Sequence, residues 1–375
     1  MEGKCPLFDS LKSKNVTLTI TKKCNLSCVY CYEHSKTAEN MTLQTAIDII
    51  EKELQADDGT QAITFDFFGG EPFLNFELMK ECLDYYKHIK KTKPVRFFLS
   101  TNGTLVHGQI QDWLRENKQL ITCGLSLDGN KKVHDLNRSD SYDDIDLDFF
   151  VKEYPWQPIK MTLYPATIDC FAESVIDCHK KGFKVSCNLA YGVDWSGDVL
   201  RNTFENELKK LVDFYVENPD IAPCSMLDRM ILVLGQESKD KETIHKWCGV
   251  KTHMHTYDVD GTLYPCQHFM PISCGDQNAV KFEDLDVEEE CSICNLNEEC
   301  RECLFLRLCP NCYGANYVNT GNIYLRDMKM CELLKLQFKA CAYLQATKYF
   351  RGELKMSSDE EILFARAILK IQELD

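Results

Sequence analysis

Three cysteines within eight residues, Cys24, Cys28 and Cys31 in the run Cys-Asn-Leu-Ser-Cys-Val-Tyr-Cys, follow directly on the apolar, β-branched stretch Val16–Thr21. A strand that ends in a loop of three thiols ties the fold to the chemistry of those thiols. Each iron of a cubane seeks a soft ligand, so three closely spaced thiolates hold three corners and leave one iron open to a substrate or cosubstrate. The triplet is therefore expected to seat a 4Fe-4S cluster. The alternative is a zinc knuckle, which needs a fourth Cys or His at short spacing; His34 is the nearest later candidate, and so compact a stretch makes a poor tetrahedral cage.

The whole chain has 21 cysteines in 375 residues, with paired Cys-x-x-Cys spacings, which points to metal ligation in a reducing compartment rather than to a secreted disulfide scaffold. Residues Met1–Asn15 mix charges with isolated apolar residues and have no signal-peptide core, and no apolar run approaches a membrane span. A cytoplasmic location and no membrane partner are expected. The net charge of −15 argues against nucleic acid as a partner.

From Val16 to about Gly192, short β-rich runs alternate with amphipathic helical stretches, the pattern that builds parallel sheets. The strands are predicted at Val16–Thr21, Ile63–Phe68, Val95–Ser100, Thr122–Leu127, Ile159–Leu163 and Lys184–Leu189, and helices at Leu43–Leu54, Phe76–Lys90 and Ile168–Lys181. Six such units predict an α/β fold, an open, partial (β/α)6 TIM-like barrel. Functional loops in such barrels sit at the carboxyl ends of the strands. The first four strands end in the cysteine triplet, Gly69-Gly70-Glu71-Pro72, Ser100-Thr101-Asn102-Gly103 and Ser126-Leu127-Asp128-Gly129, all on one predicted rim.

Beyond the barrel, Ser196–Asn218 reads as a helical connector and Met226–Leu234 as a further helix. Thr252–Tyr257 and Thr262–Cys266 flank an Asp260-Gly261 turn and read as a hairpin. A dense array follows: Cys291, Cys294, Cys300, Cys303, Cys309 and Cys312, with Cys331 opening a last helical stretch. The expected organisation is an N-terminal extension (1–15), a barrel with its connector (16–235), a metal-organised domain (247–350) beginning near Trp247, and a C-terminal helix (351–375).

These residues together resemble the radical S-adenosylmethionine (radical SAM) enzymes that carry a C-terminal SPASM domain. The spacing Cys24-x3-Cys28-x2-Cys31 is similar to that family's cluster motif, Gly69-Gly70-Glu71-Pro72 to its GGEP loop, and Cys248-x12-Gly261-x4-Cys266 to the opening of the SPASM pattern. The resemblance implies a 4Fe-4S cluster on Cys24, Cys28 and Cys31, whose open iron chelates SAM, and an oxidoreductase that cleaves SAM to a 5′-deoxyadenosyl radical. It implies SAM contacts from Tyr30, Gly69, Gly70, Glu71, Pro72, Asn102, Ser126 and Arg138; surface turns or salt bridges are the alternative for the last three. No catalytic acid or base is assigned.

The same resemblance implies two auxiliary 4Fe-4S clusters, a first on Cys248, Cys266 and Cys312 and a second on Cys300, Cys303, Cys309 and Cys331. The Cys309–Cys312 spacing is one residue shorter than the family's, and Cys291 and Cys294 repeat the Cys300–Cys303 spacing nine residues earlier. The register is thus open, with Cys291, Cys294 or Cys224 available as further ligands. Cys5, Cys82, Cys123, Cys170, Cys178, Cys187, Cys274 and Cys341 read as buried thiols. His253, His255 and His268 read either as tuning the first auxiliary cluster or as hairpin packing.

Two functions within the resemblance compete, a maturase of ribosomally made (RiPP) peptides and an anaerobic sulfatase-maturing enzyme. The latter carries an Asp immediately after the cysteine corresponding to Cys266, where this chain has Gln267, which cannot serve as a general base. The expectation is a peptide maturase making a Cys sulfur-to-carbon thioether, with a leader-bearing precursor peptide and a flavodoxin- or ferredoxin-type electron donor as partners. Only fifteen residues precede the first predicted strand, fewer than the ~50 of a small leader-binding domain. A reading from another class is a non-catalytic iron–sulfur electron carrier or a zinc-organised binding protein.

Overall fold

The computed structural model describes residues 11–236, 243–246, 248–288 and 290–374. Cys5, Trp247 and the first ten residues of the expected N-terminal extension lie outside the described residues. The chain forms two compact units. One comprises the chain up to Leu127 with His134–Ile159 and Gly249–Val287; the other comprises Asp128–Val133, Lys160–Cys248 and the chain from Glu288 onward.

The first unit is built on a six-stranded sheet. Strands β1 (Ser13–Thr21), β2 (Ala62–Gly69), β3 (Val95–Thr101) and β4 (Ile121–Leu125) pair in parallel in chain order. Their carboxyl ends therefore share one rim, as the sequence pattern requires. Val16, Leu18 and Ile20 of β1, with Phe65, Phe67, Phe97 and Leu99 of the neighbouring strands, are essentially fully buried, and Phe97 stacks on Phe65 and Phe67 at 5.6 and 5.3 Å between ring centroids. Aromatic pairs of this kind add to simple area burial and help fix the register. Helix α1 (Leu43–Gln55) starts where the Thr42 hydroxyl accepts from Thr45 N–H, and its apolar stripe Ala46, Ile49, Ile50 and Leu54 is buried. Helix α2 (Phe76–His88) buries Leu78, Met79, Cys82 and Leu83 in the same manner.

Two features of the sheet lie outside the expected order. Strands β5 (Ile159–Leu163) and β6 (Val185–Leu189) pair with each other in a separate two-stranded sheet, while the hairpin β8 (Met254–Tyr257) and β9 (Leu263–Tyr264) joins the free edge of β1; between β6 and β8 lies the short strand β7 (Thr243–His245). The hairpin thereby covers the backbone groups that an edge strand leaves unpaired. The expected helix over Met226–Leu234 shrinks to a single turn, Leu232–Gly235. The second unit further contains a long helix at Asp198–Glu217, a strand β10 (Glu290–Ser292) paired antiparallel with β7, and helices at Tyr313–Thr320, Cys331–Phe350 and Ser358–Gln372. The last helix opens with a capping box, in which Ser357 and Glu360 satisfy each other's backbone donors.

The thiols expected to be buried divide in two. Cys82, Cys123, Cys178, Cys187 and Cys341 are buried, whereas Cys170 and Cys274 are half-buried. His255 belongs to neither of its expected roles alone: it packs edge-on against Phe282 and its Nδ1 lies 2.7 Å from Glu53 Oε1.

That contact is part of a buried charged cluster at the amino end of β1. Lys14 and Glu53, each 2% exposed, meet at 2.8 Å; Lys14 also bonds Asp58, and Tyr257 donates to Glu53 at 2.6 Å. Burial drives the Glu53 carboxyl toward protonation, but His255, Lys14 and Tyr257 more than offset it and hold the pKa at about 2. The cluster thus clamps α1, β1 and β8 together. Its contribution to stability is complete above the ordinary carboxylate pKa of 4.5 and is lost as pH falls from there toward about 2. Replacing Glu53 by Ala, which leaves Lys14 buried without this partner, is expected to cost ~3–5 kcal/mol in urea unfolding at neutral pH. The stability difference from the wild type should narrow in the same measurement as pH falls from 4.5 toward 2.

Candidate functional site

The second rim loop crosses directly over the first. Gly70 N–H donates to Thr21 O at 3.2 Å and Glu71 N–H to Lys23 O at 2.8 Å. Gly69 has φ +146°, and a Cβ there would stand 2.0 Å from Thr21 O; one on Gly70 would stand 2.3 Å from Lys23 O. The two glycines are therefore required by the backbone of the chain itself. Pro72 then starts a short 3-10 turn, Pro72–Asn75.

Glu71 is 1% exposed and ties three segments together. Its Oε1 accepts from Thr101 Oγ1 at 2.8 Å and Phe73 N–H at 3.2 Å, and its Oε2 from Asn102 N–H at 2.8 Å. Burial pushes its pKa up to about 7 despite these donors and the nearby Arg138. Asn102 is equally engaged. Its Nδ2 donates to Asn25 Oδ1 at 2.9 Å and its Oδ1 accepts from Thr104 N–H at 3.0 Å and Thr104 Oγ1 at 2.8 Å. Ser126 N–H, at the end of β4, donates to Thr101 O at 2.9 Å.

The cysteine loop is held at its far side by the segment after β4. Val29 N–H donates to Asn137 O at 3.0 Å and Ser27 N–H to Ser139 Oγ at 3.0 Å. The Arg138 guanidinium lies over the Tyr30 ring, 5.4 Å from its centroid. The structure thus gathers Tyr30, Glu71, Asn102 and Arg138 in one unit with the cysteine loop, around side chains mostly bonded to one another. Two polar residues of this loop escaped the sequence reading. Glu33 is buried, its pKa is pushed up to about 7 by burial, and its Oε1 has no hydrogen-bond partner among the described residues. Lys36 donates to Leu26 O at 3.4 Å, and the Cys31, Cys24 and Glu33 groups raise its pKa against the effect of burial. The Glu33/Lys36 pair, three residues apart within the thiol loop, was the signal available.

Among the described residues, no group of three or more His, Cys, Asp or Glu side chains is placed to hold a metal ion. This corrects the expected iron–sulfur cofactors: neither the seat on Cys24, Cys28 and Cys31 nor the auxiliary seats on Cys248, Cys266, Cys312 and on Cys300, Cys303, Cys309, Cys331, with Cys291 and Cys294 in reserve, fits such a group. Many of the thiols bond locally instead of converging. Leu26 N–H donates to Cys24 at 3.5 Å, and Cys31 donates to Glu33 O at 3.8 Å. Cys309 donates to Pro310 O at 3.8 Å, Cys291 to Ser292 O at 3.3 Å and Cys300 to Met328 Sδ at 4.0 Å. Cys312 caps the helix at Tyr313–Thr320 by accepting from Ala315 N–H.

Burial also raises the Cys24 thiol, and pushes Cys309 and Cys312 up to about 11. Cys300, Cys303, Cys309, Cys312 and Cys331 do line one cavity of about 70 Å³ in the second unit, without converging on a single point. Cys291 packs with Leu296, Cys300 and Leu306, Cys294 is exposed, and Cys266 is buried at the start of the 3-10 turn Gln267–Phe269 in the first unit.

The Glu71 carboxyl generates a pH dependence of opposite sense to that of Glu53. A carboxyl raised to about 7 in the folded state destabilises progressively as pH rises from its ordinary value of 4.5 to about 7. Glu71→Gln removes this titration but faces Asn102 N–H with an amide that must sacrifice one contact. The variant is expected to unfold at lower urea than the wild type at pH 5, with the gap narrowing by pH 8.

Comparisons with known proteins agree with this architecture. The family model described as the Radical SAM superfamily matches residues 18–196. A cysteine-type anaerobic sulfatase-maturating enzyme of Clostridium perfringens (strain ATCC 13124) is 26% identical over 365 residues, covering 87% of this chain and 93% of its own. Among solved structures, native anSMEcpe with bound AdoMet and the Cp18Cys peptide superposes with a TM-score of 0.64 at 21% identity, covering 91% of this chain and 99% of that one. Streptococcus suis SuiB bound to the precursor peptide SuiA gives 0.54 at 15%, covering 84% and 75%. At these identities the structures speak for the fold, a partial TIM-barrel-like domain with a C-terminal auxiliary region. The Radical SAM match thus spans residues 18–196, a little under half of the chain, which is further similar in sequence to anaerobic sulfatase-maturating enzymes and in fold to anSMEcpe and to SuiB.

Proposed function

We propose that this enzyme is a peptide maturase that binds SAM at the rim of β1–β4, cleaves it to a 5′-deoxyadenosyl radical, and joins a cysteine sulfur to a carbon of a ribosomally made precursor peptide. The observation that carries the choice of peptide chemistry is Gln267. It directly follows Cys266 and begins the 3-10 turn Gln267–Phe269, at the position where the resemblance to sulfatase-maturing enzymes calls for an Asp. A side-chain amide takes up no proton at neutral pH, so formylglycine formation loses its base there. That a protein sharing the fold binds a precursor peptide supports the same reading.

In this reaction one electron from a flavodoxin- or ferredoxin-type carrier cleaves the sulfonium and yields methionine and the radical. The radical takes one hydrogen atom from the acceptor carbon, the cysteine thiol releases its proton to solvent, the S–C bond forms, and the remaining electron returns to the carrier. The peptide loses two hydrogen atoms and the carrier is unchanged over the cycle. In this reading Tyr30 and Arg138 form one wall of the SAM site, and the Gly69–Pro72 loop and Asn102 another.

Sulfatase maturation is the second reading, favoured by the 26% identity over 87% of the chain. Incubation with SAM, a one-electron reductant and two peptides, a cysteine-rich precursor and a sulfatase-derived Cys peptide, separates them by mass spectrometry. Loss of two hydrogens from the precursor with 5′-deoxyadenosine released is the expected result. Exchange of the sulfatase peptide's sulfur for an aldehyde oxygen would establish the second reading instead, and absence of 5′-deoxyadenosine in every arm would defeat both.

A further inference from the structure

Asn25, Asn102 and Thr104 close a hydrogen-bonded ring between the cysteine loop and the loop after β3. Asn25 Nδ2 donates to Thr104 Oγ1 at 2.8 Å, Thr104 Oγ1 donates to Asn102 Oδ1 at 2.8 Å, and Asn102 Nδ2 donates back to Asn25 Oδ1 at 2.9 Å. Each of the three side chains both gives and receives. Two further bonds anchor the ring on the side of β3: Thr104 N–H to Asn102 Oδ1 at 3.0 Å and Asn102 N–H to the buried Glu71 carboxylate at 2.8 Å.

We propose that Asn25 and Thr104 are positioning residues of the SAM site, acting through Asn102 to hold the cysteine loop at a fixed distance from the second and third rim loops. The inference rests on the reading of that rim as the place where SAM binds. Its physical basis is the way the loop is suspended. On one side Val29 and Ser27 bond to Asn137 and Ser139; on the other, between residues 24 and 27, the ring is the side-chain tie to the loop after β3. Tyr30, which carries the Arg138 contact, lies on this suspended stretch. Opening the ring frees one end, so the two walls of the site must be ordered again when the ligand binds, and that entropy is taken from affinity. Asn25 is exposed and Thr104 half-buried, so their bonds contribute little to global stability but can still fix a loop.

The ring makes a prediction that independent contacts do not. Asn25→Ala and Thr104→Ala each open the same ring, so the second substitution has little left to remove. With purified full-length protein, titration calorimetry with SAM is expected to show about fivefold weaker binding for each single variant. The double variant should be no more than about twofold weaker than either single one. Thr104→Ser, which retains the Oγ, should bind as the wild type does. The KM for SAM in 5′-deoxyadenosine release should rise in parallel while kcat and the melting temperature hold.

Multiplying effects in the double variant, unchanged affinity in both Ala variants, or failure of Thr104→Ser to restore binding would overturn the inference. A fall in melting temperature and kcat with KM unchanged would also overturn it, by showing a purely structural role. Failure of the wild type itself to bind SAM would instead remove the reading on which the inference stands.

Discussion

The carboxylate of Glu71, buried at the bottom of the rim, is the contact on which the arrangement of the loops depends. It can reach Thr101 and Asn102 only because the two preceding glycines let the β2 loop lie directly on the backbone of Thr21 and Lys23. A side chain at either position would force the crossing apart, since real Cβ atoms do not approach an oxygen to 2.0–2.3 Å. From that crossing the rest of the rim follows. Asn102, held by Glu71, reaches Asn25 in the cysteine loop, and the cysteine loop in turn reaches the segment at Asn137–Ser139.

Such a chain of contacts is costly in isolation, because a carboxylate in a nearly dry interior loses its hydration. Three donors compensate Glu71 incompletely, which is why its pKa rises to about 7, whereas Glu53, with Lys14, His255 and Tyr257 around it, falls to about 2. The comparison separates a carboxylate compensated by Lys14 and two further side-chain partners, at the amino end of the strands, from one left partly uncompensated at the loop-bearing carboxyl end. Uncompensated burial is characteristic of sites shaped for binding rather than for stability.

The sheet was largely legible in the sequence because its signal is local. Apolar, β-branched runs of five to nine residues separated by amphipathic helices located β1–β6 to within a few residues, and Gly69-Gly70-Glu71-Pro72 announced a tight loop by composition alone. What local spacing does not carry is the pairing and direction of segments far apart in the chain. The hairpin at Met254–Tyr257 was visible, yet its parallel pairing with β1, some 240 residues earlier, depends on which edge remains open after β2 has docked on the other side. Met226–Leu234 has helical spacing, but spacing does not ensure that the turns persist, and a single one remains.

The cysteines mark the boundary between the two kinds of information. Spacing by itself determined that Cys24, Cys28 and Cys31 share a loop at the end of β1, and that a second group of thiols follows in the C-terminal region. Tertiary structure decided where the thiols point: many turn to nearby backbone oxygens, amides and methionine sulfur, and none of the expected groups converges on a metal position among the described residues. Tertiary structure also decided that Asn102 faces Asn25 and Thr104, and that Glu71 faces Thr101. The reason is that sequence separation bounds how far apart side chains lie along one segment, whereas direction and partnership across segments are set only when the strands have paired and the loops have crossed.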